Sequence, residues 1–140
     1  MTTLSNHWRG ATSPALERFD DAKLLSLMQR VCDARLAARA DSASNRKAEI
    51  MISSMQDYQA ALKNTCSKHK AAPENIAAYL AARKNGGMEL LQAELGLLRN
   101  TGDKKLVNAF DTMLRTGHDY LKTQPGSGLL GRVRTYFFNR

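Results

Sequence analysis

The sequence predicts an all-α protein, a small helical bundle of four to five amphipathic helices with a flexible N-terminus and a basic amphipathic C-terminal tail. Three observations carry that prediction. Ala, Leu and Arg are the commonest residues, Lys, Gln and Met add to them, and Val and Ile number three each; unbranched side chains lose little rotamer freedom in a helix. Apolar residues recur at three- and four-residue steps instead of alternating, which is the period of a one-faced helix. Ser-Pro, Asp and Gly-Gly pairs fall where those stripes start and stop. At 140 residues and 43% hydrophobic, the chain holds material for one core and is short for two. The expected organisation is a flexible segment over 1–12, the bundle over 13–124, and a hinge with the tail over 125–140.

Ser13-Pro14 reads as an N-cap followed by proline at the first helical position, where its missing N–H costs nothing. The helix it opens, with Glu17 in its first turn, is expected to run to about Ala40. Leu16, Leu24, Leu27, Met28, Val31, Cys32 and Leu36 form its broad apolar arc. Asp41 to Asn45 supply capping side chains and break the pattern. A second helix over about 45–70 carries Met51, Met55, Tyr58, Leu62, Cys66 and His69 on one face, read as core. Pro73 opens a third helix with Ile76 and Leu80 inward, and Asn85-Gly86-Gly87 stops it, paired glycines tolerating the left-handed conformation of a helix end. Met88, Leu91, Leu95 and Leu98 mark a fourth segment, which is either separate or the continuation of one helix kinked at the glycines. Asp103 is placed to cap a fifth, in which Leu106, Phe110, Met113, Gly117 and Tyr120 share a stripe, and Pro125-Gly126 ends it.

Lys and Arg number 21 against 13 Asp and Glu, a net charge of +8. Such an excess suits an anionic partner: an acidic protein surface first, then nucleic acid or an anionic membrane. No stretch reaches the length of a membrane-spanning helix. The opening "MTTLSNHWRGATSP" lacks the apolar run of a Sec-type signal. Rich in Thr, Ser and Asn and free of acids before Glu17, it resembles the unstructured export signals of bacterial type III effectors. The expected location is therefore cytoplasmic, or outside the cell by a route other than Sec. Cys32 and Cys66 each fall on an apolar stripe and are read as reduced, buried thiols.

A convergent catalytic set is missing, so no catalytic residue, metal or cofactor is assigned. His7 lies in the N-terminal segment, His69 ends the second helix, and His118 adjoins Asp119, but adjacent helical residues point apart. Cys66 and His69, at i and i+3, supply two of the four ligands a structural zinc needs. "TGDKK" at 101–105 lacks the spacing of a phosphate loop, and residues 75–95 do not fit a helix-turn-helix. Basic pairs remain: Arg83 with Lys84, and Lys104 with Lys105 at a helix start, are the candidate anion-binding residues.

The tail, "GLLGRVRTYFFNR", places Leu129, Leu130, Val133, Tyr136 and Phe137 on one helical face, with Arg132 and Arg134 beside it and Phe138 off it. It has three fates. It closes the core or a homodimer, which is the favoured one; it docks in a partner's groove; or it lies on an anionic membrane. Arg132, Arg134, Tyr136, Phe137 and Phe138 are its candidate partner-binding residues. The function expected from the whole is that of a non-enzymatic interaction protein, an effector, adaptor or regulator. The alternatives are a nucleic-acid-binding regulator of phage or plasmid type and a peripheral membrane binder.

Overall fold

The computed structural model describes residues 14–41 and 45–123, and there the protein is all-helical: α1 (Pro14–Arg18), α2 (Asp21–Asp41), α3 (Arg46–Ser67), α4 (Pro73–Ala82), α5 (Gly87–Asn100) and α6 (Lys104–Leu121). The expected four or five helices become six for two reasons. The first is a break at Phe19-Asp20. Phe19 turns into the core, 7% exposed, and Asp20 Oδ1 accepts from the Lys23 N–H at 2.9 Å, capping a new helix. Arg99 holds this corner from α5: its guanidinium donates to the Leu16 carbonyl, to the Phe19 carbonyl at 2.7 Å and to Asp21 at 2.9 Å. The carbonyls that α1 leaves open are thus satisfied by a side chain from another helix.

The second reason is that Gly86-Gly87 separates α4 from α5 outright, with φ of 70° and 63°. Gly86 has ψ −158°, a combination open to glycine and hardly to any other residue. Two other ends follow the sequence. Asn45 Oδ1 accepts from the N–H groups of Lys47 and Ala48 at 3.0 and 3.3 Å, opening α3, and Asp103 Oδ1 accepts from Lys105 N–H at 3.1 Å, opening α6.

All six helices feed one core. α3 and α6 run antiparallel down its middle, as three pairings fix: Ser54 meets Thr116, the rings of Tyr58 and Phe110 lie 5.8 Å apart, and Thr65 meets Asp103. The stripe Met51, Met55, Tyr58, Leu62 and Cys66 is buried as the spacing predicts. α2 covers α3, α5 and α6, while α4 packs on α5.

Five positions depart from the sequence reading, among them Cys32, which is half-buried where a buried thiol is expected. Leu36 is 69% exposed, because the inward face of α2 runs through Val31, Ala34 and Ala38, and Leu36 lies nearly opposite both alanines. Leu80 is largely exposed because α4 turns Ile76, Tyr79 and Ala82 inward. Met88 is likewise exposed, the buried face of α5 starting at Leu91. His69 is outside α3, exposed and at φ 53°, since the helix closes at Ser67 and the chain reverses there. Cys32 is half-buried and Cys66 buried, both as free thiols. The C-terminal tail, the N-terminal segment and the Ser13 cap lie outside the described residues.

Candidate functional site

Besides an open polar hollow between α3 and α6 lined by Arg46, Glu49, Asp57 and Thr116, two regions of the described structure combine polar chemistry with accessibility. The first is one end of the molecule, where α3 stops and α6 starts. Thr65 donates through Oγ1 to Asp103 Oδ2 at 2.6 Å, Thr101 Oγ1 donates to the Lys70 carbonyl at 2.6 Å, and Asp103 N–H donates to Thr101 Oγ1 at 3.2 Å. Thr65, Thr101 and Asp103 are buried, so this network is shielded and holds the end of α3 and the start of α6 in fixed register. Lys68, Lys70, Lys104 and Lys105 stand exposed around it. Among the described residues, no ion pair joins any of the four to an acid.

Of the predicted anion-binding residues, Lys104 and Lys105 therefore sit at this end. The backbone beneath them is taken, because the Asp103 carboxylate already occupies the Lys105 N–H. A second anion there would meet that carboxylate, so the side chains, and not the helix terminus, are what this end presents. Arg83 and Lys84 are exposed on the turn after α4. Arg83 lies 5.9 Å from the Tyr79 ring and faces the last turn of α3: burial raises the Cys66 thiol pKa, and the Arg83 charge opposes that rise. Arg132, Arg134, Tyr136, Phe137 and Phe138 lie outside the described residues.

The second region is one that the sequence reading passed over. A cavity of about 310 Å³ opens between α2, α3 and α5, walled by Met28, Met55, Met113 and Leu91. Exposed Leu36 marks its rim. Against this apolar lining stands a carboxyl group. Glu94 is only 8% exposed, and the Tyr58 hydroxyl donates to its Oε1 at 2.9 Å. Burial pushes the Glu94 pKa up to about 7, and the Tyr58 hydrogen bond pulls the other way. Tyr58 is in turn raised well above the usual phenol range, first by burial and then by the Glu94 charge. Cys32, in the same wall, is pushed up to about 11, again mainly by burial. A thiol so protonated is a poor nucleophile at neutral pH.

The signal for this site was present. Glu94 stands three residues after Leu91 and four before Leu98, so it lies on the stripe that those leucines define. A carboxylate on an apolar face is the unusual observation. His118 is buried on α6. Among the described residues, no three metal-ligating side chains come together, and no helix is long and apolar enough to cross a membrane. No family model, curated protein or solved structure matches this chain.

Proposed function

We propose that this chain is a non-enzymatic interaction protein, a helical bundle whose basic end engages an acidic protein surface. The observation that carries the reading is the buried Thr65–Asp103–Thr101 network, around which stand four exposed lysines that make no ion pair among the described residues. Backbone placement matters, since lysines anchored on an ordered end have less backbone freedom to lose on binding than lysines on a loose loop. Complementary charge would speed association and select the partner, and apolar contact would have to supply most of the affinity. The C-terminal Arg132, Arg134, Tyr136, Phe137 and Phe138 fit that second task, arginine and aromatic residues being the side chains that anchor interfaces.

The test is affinity capture from nuclease-treated extract at about 0.15 M salt, where surface charges are screened beyond roughly 8 Å. Wild-type protein is expected to retain an acidic protein. The variant with Lys68, Lys70, Lys104 and Lys105 all changed to Glu is expected to lose it. Capture of no protein, or capture that survives the charge reversal, overturns the reading. Nucleic acid would answer to the same charges, and a gel shift that weakens steeply with salt would assign the end to it instead.

A further inference from the structure

The cavity between α2, α3 and α5 is independent of the basic end and asks for a different kind of occupant. Its volume of about 310 Å³ sits at the lower limit of small-molecule sites and is roughly twice that of a cavity that takes benzene. Three methionine side chains, Met28, Met55 and Met113, give it a deformable, polarisable wall. Of its polar lining residues Asp33, Arg35, Tyr58, Gln59 and Glu94, only Tyr58 and Glu94 are buried, so these two are the contacts that would fix orientation. Among the described residues, the only hydrogen bond to the Glu94 carboxyl is the one Tyr58 donates to Oε1. Oε2 is left for an incoming group.

The sign of the local field decides which group. The chain as a whole is strongly basic, yet at Cys32, in the cavity wall, the charges of Glu94 and Asp33 both act more strongly than the opposing charge of Arg35. The polar and charged groups that line the cavity with Glu94 are Cys32, Asp33 and Arg35 from α2 and Tyr58 and Gln59 from α3, while α6 contributes uncharged Met113. The Glu94 charge also reaches Tyr79 of α4. Among the described residues Arg35 makes no ion pair with Glu94, and its buried Nε has no hydrogen-bond partner. The lining thus holds two acids, Asp33 and Glu94, against one base, Arg35, and among the described residues Glu94 has no ion-pair partner, so the cavity suits a cation although the protein's exterior favours anions. An ammonium group would also supply the counter-charge that a buried carboxylate otherwise lacks.

We propose that this cavity is a binding site for a small hydrophobic amine, its ammonium group paired with Glu94 and its apolar body lying against Met28, Met55 and Met113. Phenethylamine is a probe of suitable size, with phenethyl alcohol and phenylacetate as its neutral and anionic counterparts. Calorimetric titration of the full chain at about pH 8, above the raised carboxyl range, is expected to give binding of the amine roughly tenfold or more tighter than the alcohol, the worth of one charge-assisted hydrogen bond. Phenylacetate is expected to be weakest. Glu94→Gln is expected to bring the amine down to the level of the alcohol. Met55→Trp, which fills the cavity without touching the carboxyl group, is expected to abolish binding of both. The proposal falls if wild-type protein does not bind the amine, if the alcohol or the acid binds as tightly, or if the amine still binds with the cavity filled. Retained amine affinity in a folded Glu94→Gln protein also overturns it. None of these outcomes bears on the lysines of the basic end, so this proposal and the interaction reading fail separately.

Discussion

Glu94 concentrates the residue-scale physics of this protein. An isolated carboxylate beside methionines is costly, so the side chain keeps its proton to about pH 7 in the folded chain, whereas the unfolded chain releases it near 4.5. Between those values the native state binds more protons than the unfolded state. Stability is therefore fullest below about pH 4.5 as far as this group goes, and it falls as pH rises through about 7. A shift of that size is worth on the order of 3 kcal/mol. Glu94→Gln keeps an acceptor for the Tyr58 hydroxyl and removes the ionisation. Urea unfolding is expected to give the variant greater stability at pH 8 and to bring the two proteins together near pH 5, about the limits of the window set by the shift. Parallel stability curves would refute the assignment. The position of Glu94 on the apolar stripe was legible in the sequence, since the spacing from Leu91 to Leu98 places it there. Its burial was not, because that depends on Tyr58 arriving from α3, 36 residues away.

Element boundaries were legible where the chain carries its own cap. Asn45 and Asp103 open α3 and α6 through their side chains, and Gly86-Gly87 separates α4 from α5. The break after α1 was hidden because its stabiliser is Arg99, a residue of another helix. The exposed sides of α2 and α4 were misjudged at Leu36 and Leu80 for a related reason. Small Ala34, Ala38 and Ala82 mark the inward faces there, and alanine gives a pattern count little weight. Closest approach between elements was also invisible, and Gly117 is the case in point. A Cβ at Gly117 would stand 2.9 and 3.0 Å from the two methyl carbons of Val31, so α2 and α6 touch where glycine leaves room. In an exposed helix Gly→Ala gains about 1 kcal/mol, but overpacking a filled core costs about 1–3. The cost wins here, because buried Val31 is stiff at χ1 and cannot swing aside. Gly117→Ala is expected to lower stability by about 1–2 kcal/mol in chemical denaturation. In a Val31→Ala background the same change is expected to raise it. A double-mutant cycle reads that reversal of sign directly, and additive effects would sink the explanation.

At the scale of the whole molecule the question is which electrostatic effect dominates. Every acid lies between Glu17 and Asp119, while Arg9, Arg132, Arg134 and Arg140, all outside the described residues, account for half of the net +8. The remaining excess sits on the helical body, where Lys68, Lys70, Lys104 and Lys105 crowd one end without acidic partners. Among the described residues, the surface pairs Arg46–Glu49, Arg99–Asp21, Arg115–Asp111 and Lys122–Asp119 oppose this repulsion. Exposed pairs of this kind contribute about 0–1 kcal/mol each and weaken in salt. Three of the four join residues of the same helix or its cap, three or four positions apart, and such pairs sit low in that range. Repulsion should then prevail, and screening it should stabilise the fold. Raising NaCl from about 0.02 to 0.5 M is expected to increase the melting temperature by a few degrees, the equivalent of about 0.5–1 kcal/mol for a body of this size. Neutralising Lys68, Lys70, Lys104 and Lys105 to Gln should raise the low-salt melting temperature and shrink the increment that salt adds. A melting temperature that drops with salt would mean that the ion pairs, particularly the Arg99 clamp between α5 and the α1–α2 corner, outweigh the crowded lysines, and that the basic end is not an accumulation of like charge held together by the buried network beneath it.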